Sequence, residues 1–253
     1  MKGKDHDIRE FGSIPERIQK ILSAFGIASR REAERMIISG RVCINNTRAT
    51  LGQSATVGVD LITVDGVPLA AKSEHIYLML NKPCGYITTV SDMRGRKTVM
   101  ELITGLNSRV YPVGRLDKDT EGLLLFTNDG NFANLVMHPS FDIQKTYEVE
   151  VSGDVVRAVE LLQKPVLIDK FTVQALSVKL IQPFDNGGII RITISEGKNR
   201  QVRKMCKASG VMVKSLKRIS IGSLNLGDLK RGNWRFLTKE EVSALGKGYI
   251  ASY

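Results

Sequence analysis

Residues 113–130 read VGRLDKDTEGLLLFTNDG, a stretch in which four carboxylates surround an apolar run. The four are Asp117, Asp119, Glu121 and Asp129. The chain as a whole has 253 residues and a formal net charge of +11, so a local concentration of acids is unexpected. These acids could hold a metal ion, lie on a solvated loop, or include one carboxylate that reacts with a polyanion.

The apolar run GLLLFTND (122–129) predicts a strand, and five other segments have strand-like patterns. They are IYLMLNK (76–82), VYPVGRLD (110–117), KTYEVEVSG (145–153), KFTVQALSVKLI (170–181) and GIIRITISEG (188–197). Tyr147, Val149 and Val151 alternate with polar residues, which indicates a strand with one buried face. The intervening helical segments are 132–137, 154–163 and 200–209. The predicted fold class is α+β, with a central antiparallel or mixed sheet flanked by helices.

A smaller module precedes this domain. Apolar residues recur at helical spacing over 18–25, and Gly26 is placed to end that helix. Ser29, with Glu32 three residues later, predicts a capping box that opens a second helix. Residues 41–66 are rich in β-branched and turn residues and predict short strands. Four arginines lie on or just after the second helix: Arg30, Arg31, Arg35 and Arg41.

These patterns divide the chain. We expect a flexible N-terminus at 1–14, the small module at 15–70, a linker at 71–74 and the larger domain at 75–253. The N-terminus lacks the apolar core of a secretory signal, and no apolar run is long enough to span a membrane, so we expect a cytoplasmic protein. The three cysteines are isolated, which favours neither disulfides nor zinc.

The charge indicates a polyanionic partner. The sequence pI is about 9.6, which favours nucleic acid over a membrane surface because no basic amphipathic helix is evident. Residues 1–70 have a net charge of +2 and residues 71–253 of +9. No acid occurs over 197–227, which predicts a phosphate-contacting surface. Its cations are Lys198, Arg200, Arg203, Lys204, Lys207, Lys214, Lys217 and Arg218.

A metal-binding site is the least supported interpretation of these four acids. Asp117, Asp119 and Glu121 imitate the start of a calcium loop, but the twelfth position, which requires Glu, is Asn128. No second acidic cluster or histidine supports a magnesium site. We expect Glu121 and Asp129 to cap or terminate local structure, and Asp119 to be a solvated turn residue.

Asp117 differs because it follows the strand-like run 110–116, where a rigid scaffold can hold a side chain. An ionised, fixed carboxylate can serve as a nucleophile or a base without a cofactor. Composition alone leaves this role open against that of a surface residue.

The motif GRLDKDTEGLLLFTNDG resembles the catalytic motif of pseudouridine synthases, specifically the ribosomal small-subunit synthase A family, which includes the large-subunit synthases B, E and F. Further matches occur in the family's order: LNKPCGYITT, HPSFDIQKTYEVEV, EGKNRQVRKMCKASG and VKSLKRISIGSLNLGDLKRGNWRFLT. The front segment RIQKILSAFGIASRREAERMIISGRVCIN resembles the S4 (S-four) RNA-binding domain. Together the resemblance spans about 17–245.

The resemblance implies an isomerase that detaches uracil from its ribose in RNA, rotates it and rejoins it through carbon, with no cofactor and no metal. It places Asp117 as the essential carboxylate, attacking the anomeric carbon or removing the 2′ proton. Tyr147 would stack on the flipped uracil and take part in proton removal, although a core aromatic is its structural alternative. Arg203 would pair with Asp117, with Arg200 as a rival, and Val202 would pack on the base.

The resemblance and the charge pattern together suggest RNA contacts. Arg115 would fill the gap in the RNA or hold phosphate, and Lys82, in a structural turn, would touch RNA. Further substrate-binding candidates are Lys198, Arg200, Lys204 and Lys207. The small module would contribute Arg30, Arg31, Arg35 and Arg41, whose structural alternative is plain solubility.

The leading hypothesis is a ribosomal RNA pseudouridine synthase. Among the family's members, the motifs VGRLD and MHPS more closely resemble those of enzymes that act on large-subunit RNA, which favours this substrate over the small-subunit alternative. We expect a monomer that acts on ribosomal RNA, free or within ribosome-assembly intermediates. The other hypotheses are a non-catalytic RNA-binding or ribosome-assembly factor on the same fold, and a metal-dependent nuclease or phosphotransferase, which lacks ligands.

Overall fold

A computed structural model of the chain describes residues 14–69 and 74–245. The chain divides into two compact units, Met1–Glu74 and His75–Tyr253, called here the first and second units. The flexible N-terminus predicted at 1–14 and the linker predicted at 71–74 lie almost entirely outside the described residues.

Over residues 14–69, the first unit contains two helices and six short strands. Its elements are β1 (Glu16–Arg17), α1 (Ile18–Ala24), α2 (Arg30–Ile38), β2 (Val42–Ile44), β3 (Thr47–Arg48), β4 (Ser54–Ala55), β5 (Ile62–Val64) and β6 (Val67–Pro68). The order β3-β2-β5-β6 forms one sheet, and β1 pairs with β4. Both predicted helices are confirmed. The Ser29 hydroxyl accepts the Glu32 amide at 3.1 Å, but the Glu32 carboxylate pairs with Arg35 at 2.7 Å, so only half of the capping box forms.

The second unit is built on a large sheet. Its strands are β7 (Tyr77–Lys82), β8 (Tyr111–Val113), β9 (Glu121–Thr127), β10 (Lys145–Ser152), β11 (Val166–Ile168), β12 (Phe171–Val173), β13 (Ser177–Phe184), β14 (Gly187–Ile194), β15 (Met212–Ile221), β16 (Leu224–Asn225) and β17 (Trp234–Phe236). Its α-helices are α3 (Gly130–Met137), α4 (Val155–Leu162), α5 (Gln201–Ala208) and α6 (Lys239–Leu245), and short 3-10 helices occur at Val99–Leu102 and Pro139–Phe141.

Among residues 74–245, the sheet has nine strands. The order is β13-β14-β10-β15-β9-β7-β17, with β8 also beside β9 and β16 beside β15. Neighbours are antiparallel except β15 and β9, which run parallel over only two residue pairs, Lys217 with Glu121 and Arg218 with Gly122. The predicted α+β class with a mixed sheet flanked by helices is therefore confirmed.

Strand β9 is buried on both faces, which explains its continuous apolar run. Leu124 and Phe126 join a core that includes α4, α5 and the inner face of β10. Leu123 and Leu125 join a second core against α3 and α6. A strand covered on both faces needs no polar alternation.

Strand β8 is shorter than the sequence suggested. It ends at Val113, and Gly114 follows with φ +74°, a conformation that glycine adopts without strain. Asp117 therefore lies within a loop, residues 114–120, and does not end a strand. This segment is called the Asp117 loop below.

Gly122 marks the closest approach of β9 to β15. A Cβ at this position would lie 2.2 Å from the Arg218 carbonyl oxygen, and the glycine has φ +99°.

We expect Gly122→Ala to lower the free energy of unfolding by about 3 kcal/mol or more, measured by urea denaturation. Gly197→Ala is the matched control, since no atom lies within 4 Å of its added Cβ. A Gly122 variant as stable as this control would contradict the prediction.

Candidate active site

The Asp117 loop is fixed by hydrogen bonds to its backbone. The Thr88 hydroxyl donates to the Leu116 carbonyl at 2.7 Å and accepts the Leu116 amide at 3.2 Å. Within the loop, the Thr120 amide donates to the Asp117 carbonyl at 3.1 Å. The backbone that carries Asp117 is thus held from both sides.

Lys82, at the end of β7, is the central support of this loop. Its side chain is fully buried, and Nζ donates to the carbonyls of Pro83 at 3.1 Å, Asp117 at 3.0 Å and Thr120 at 2.8 Å. Burial lowers the pKa of the Lys82 ammonium to about 8, against the opposing effect of neighbouring acidic groups. Lys82 has no surface to offer RNA in this structure, so its predicted RNA contact is corrected to a buried, loop-holding role.

Two arginines of the basic segment converge on the Asp117 loop. Arg200 binds the Asp119 carboxylate through two hydrogen bonds of 3.0 and 2.8 Å, and its Nη1 lies 3.7 Å from Asp117 Oδ2. Arg203 donates from Nη2 to the Asp119 carbonyl at 2.6 Å, and its Nε lies 3.4 Å from Asp119 Oδ2. The expected Arg203–Asp117 pair is therefore wrong for this structure. Arg200, the rival, is the arginine beside Asp117.

Asp119 was overlooked as a site residue. Its carboxyl has a lowered pKa, chiefly because it accepts hydrogen bonds from Arg200 and then through the charges of Arg203 and Arg200. It is not the freely solvated turn residue that the sequence suggested, although about half of its side chain is exposed. Two features of the sequence could have indicated its role: its position two residues after Asp117, and the presence of an acid-free basic segment that needs acidic partners from elsewhere in the chain.

Arg200 is positioned by an unusual backbone. It is the N-cap of α5, with φ +51° and ψ +33°, in the left-handed region that non-glycine residues rarely adopt. The helix predicted at 200–209 thus begins one residue later, at Gln201. This turn directs the guanidinium toward the Asp117 loop, where Asp119 binds it.

Tyr147 and Val202 lie in the same apolar core. Tyr147, on β10, is 9% exposed, and Val202, on α5, is 4% exposed. On the neighbouring strands, Ile192 and Arg218 lie opposite Tyr147. In this structure both predicted base-contacting side chains are core residues, and a base that reaches them must enter from the margin of this core.

Several cations of α5 and of the segment just before it already form ion pairs with acidic side chains. Lys198 pairs with Glu196, and Lys204 pairs with Asp169 at 2.6 Å. Lys207, in the last turn of α5, is exposed. The predicted basic surface is therefore partly neutralised by acids that lie outside 197–227.

The predicted RNA-contacting arginines outside α5 are exposed. They are Arg30, Arg31, Arg35 and Arg41 in the first unit and Arg115 in the Asp117 loop. Two have acidic partners, since Arg35 pairs with Glu32 and Arg41 binds Asp65 with contacts of 2.9 and 2.6 Å. Exposure makes an RNA contact by these side chains sterically feasible.

The remaining two acids of 113–130 are structural. Asp129 is buried, accepts the Asn131 amide as N-cap of α3, and is bound by the Tyr77 hydroxyl and His75, each at 2.9 Å. Its predicted capping role is confirmed, but it is not a surface residue. Glu121 begins β9 and pairs with Arg231 at 2.6 Å. Within residues 14–69 and 74–245, no three His, Cys, Asp or Glu side chains are grouped to hold a metal ion.

Comparison with known proteins identifies the class. The sequence pattern of the RNA pseudouridylate synthase family matches residues 76–208, and that of the S4 domain matches residues 16–61. An S4 domain joined to this site and fold defines an RNA-modifying enzyme. The chain belongs to the RNA pseudouridylate synthase family.

In the part of the chain that the structure describes, no helix has the length and apolarity to span a membrane.

Individual relatives match over nearly the whole chain. The ribosomal large subunit pseudouridine synthase B of Bacillus subtilis is 42% identical over 91% of this chain and 95% of its own length. The dual-specificity RNA pseudouridine synthase RluF of Escherichia coli is 35% identical over 91% of this chain and 78% of its own. A crystal structure of a pseudouridylate synthase, 29% identical, superposes with a TM-score of 0.64 over 91% of this chain and 99% of the other.

The pKa of Lys82 gives a testable stability signature. Its folded-state pKa, about 8, is below the usual 10.5, so the unfolded chain binds more protons between these values and stability rises with pH. Relative to Lys82→Met, the wild type should gain on the order of 3 kcal/mol of unfolding free energy across this window. At neutral pH the variant should be less stable, because three carbonyls lose their donor. Urea denaturation at several pH values tests both statements, and parallel pH curves for the two proteins would contradict the first.

Proposed function

We propose that this protein converts a specific uridine of ribosomal RNA into pseudouridine, and that the RNA belongs to the large subunit. The support is the Bacillus subtilis relative, a ribosomal large subunit pseudouridine synthase that aligns over nearly its full length. The net charge of +11 suits a polyanionic substrate. Small-subunit RNA is the alternative substrate that the experiment below distinguishes.

The observation that carries the proposal is the setting of Asp117. Its carboxylate is about one-third exposed, on a loop whose backbone is held by Lys82 and Thr88. Such an acid can meet a substrate without moving its backbone, which limits the entropy lost in reaching the reactive geometry. It would attack the anomeric carbon of the target ribose or remove its 2′ proton.

One neighbouring arginine would orient the Asp117 carboxylate. Arg200 Nη1 lies 3.7 Å from Asp117 Oδ2, within ion-pair distance, and both routes use the Asp117 carboxylate as an anion. Asp119 holds Arg200 in this position through two hydrogen bonds. We therefore assign Arg200 and Asp119 to the positioning of Asp117, and we place Arg203 behind them as a support of the Asp119 backbone.

Base flipping would bring the uracil to Tyr147 and Val202. Extruding a base from folded RNA costs a few kcal/mol, and stacking on an aromatic ring returns about 1–3 kcal/mol. Exposed cations such as Arg115 and Lys207 would add phosphate contacts. The substrate would be ribosomal RNA, free or within an assembly intermediate, and we propose that the protein acts as a monomer in the cytoplasm.

Asp117→Asn is the direct test. The substitution keeps the side-chain size but removes the charge and the nucleophilic oxygen, so pseudouridine formation should fall by about a thousandfold or more. Affinity for the RNA should stay within about threefold, because phosphate contacts dominate binding. Unmodified large- and small-subunit RNAs are incubated with each protein, and pseudouridine is mapped by reverse-transcription stops after carbodiimide treatment.

Asp119→Asn is the matched comparison two residues away. It should lower the rate by about tenfold and leave activity measurable, because Asp119 positions Arg200 and does not react. Equal activity of wild type and Asp117→Asn would contradict the proposed chemistry. A wild type that binds RNA but forms no pseudouridine would support a non-catalytic assembly factor, and modification confined to small-subunit RNA would move the substrate to that subunit.

A further inference from the structure

The segment between β7 and the 3-10 helix Val99–Leu102 presents an apolar tip to solvent. Met93 has a relative exposure of 105%, and Val90 is 45% exposed. Residues 89–96, called here the Met93 loop, lie between two segments that are held by hydrogen bonds to other parts of the chain. Isolated exposed apolar residues are common on protein surfaces, so the surroundings of Met93 decide whether it has a role.

The Met93 loop is internally ordered. The Asp92 carboxylate accepts the backbone amides of Arg94 at 3.1 Å and Arg96 at 3.0 Å, and it pairs with the Arg96 guanidinium at 2.6 Å. These bonds, chiefly the one to the Arg96 side chain, lower the pKa of Asp92 to about 2. The methionine is thus displayed on a closed turn, and its presentation costs little further ordering on binding.

The base of the segment is joined to the Asp117 loop. Thr88 exchanges two hydrogen bonds with Leu116, and the Gly85 amide donates to the Lys118 carbonyl at 2.8 Å. Met93 is five residues from Thr88, so it lies at most about 18 Å from that anchor. This reach corresponds to about five stacked nucleotides at ~3.4 Å per step. An RNA with one nucleotide at Asp117 that continues toward the Met93 loop would therefore lie within reach of Met93.

The charge around the tip favours RNA over other partners. Arg94, Arg96 and Lys97 surround one acid, Asp92, and within the described part of the chain Arg94 has no ion-pair partner. Apolar side chains flanked by cations are a recurrent means of separating stacked bases, with methionine among the residues used. A membrane or a protein groove would require a broader apolar face than one or two side chains supply.

We propose that Met93 packs against an unstacked base of the folded RNA substrate, beside the nucleotide that enters the Asp117 site, while Arg94 contacts the adjacent phosphate. The inference rests on the proposed function, because it assumes an RNA substrate at Asp117. It adds a second contact that selects folded RNA in which a neighbouring base can be exposed. The apolar tip holds the opened stack, and the shared hydrogen bonds with the Asp117 loop keep the two contacts in register.

The full-length protein tests this with Met93→Ala on the mapped ribosomal RNA. We expect kcat/KM to fall by about tenfold, and Met93→Leu to restore it to within about twofold of wild type. The control is Met212→Ala, which removes another exposed methionine, on β15, and should stay within about twofold. Melting temperatures should be unchanged, since neither methionine is buried. Equal loss in the two alanine variants, or none in Met93→Ala, overturns the proposal.

A fluorescent base analogue reports the contact without relying on catalysis. With 2-aminopurine at nucleotides flanking the target, wild type and Asp117→Asn should both increase its fluorescence by unstacking it, whereas Met93→Ala should not. Arg94→Ala should reduce the slope of log affinity against log salt by about one relative to Arg157→Ala, a change at an exposed site on α4. Retained unstacking with Met93→Ala overturns the proposal.

Two further outcomes are separable. If wild type forms no pseudouridine in any ribosomal RNA, the proposed function fails, but the affinities of Met93→Ala and wild type for the RNA still test the tip, and equal affinities overturn it. If Met93→Ala is impaired on ribosomal particles and normal on protein-free RNA, the occupant of the tip is a protein and the RNA proposal is wrong.

Discussion

The ammonium group of Lys82 is the interaction on which the rest of the site depends. A charged group without solvent exposure costs several kcal/mol unless its donors are satisfied, and here three backbone carbonyls satisfy them. Two of these carbonyls belong to the Asp117 loop. The end of a core strand therefore dictates the path of a surface loop, and the Asp117 carboxylate, the proposed reactive group, gains a rigid base although its own side chain makes few contacts.

The sheet explains why the basic segment meets this loop. Strands β9 and β15 run parallel for only two residue pairs and are held so closely there that Gly122 cannot carry a side chain. The Asp117 loop leads into β9, and α5 leads into β15. The contact between these two strands therefore places the loop beside the first turn of α5, where Arg200 and Arg203 reach it.

The sequence predicted the α+β class, the S4 module and most strands of the sheet, because the alternation in β10 and β14 and the apolar run in β9 follow their burial. The sequence-based predictions failed where tertiary contacts determine the role of a side chain. Lys82 was expected at the surface since lysine is rarely buried. Asp119 was dismissed because nothing local showed that Arg200 would adopt a left-handed conformation and bind it. Strand β15 was missed because its many cations suggested an RNA surface and obscured its alternation.

The ion pairs of Lys198 and Lys204 have a consequence for discrimination among polyanions. Each lysine already has a carboxylate, in Glu196 and Asp169 respectively. A phosphate must displace that carboxylate before it gains the contact. Nonspecific binding of a nucleic acid therefore yields less favourable binding free energy than the number of cations implies. Only an RNA that fits the site closely enough to outcompete the internal acids would be retained. The protein's own carboxylates would thus compete with phosphate for these lysines, which would favour rapid release of an RNA that fits poorly.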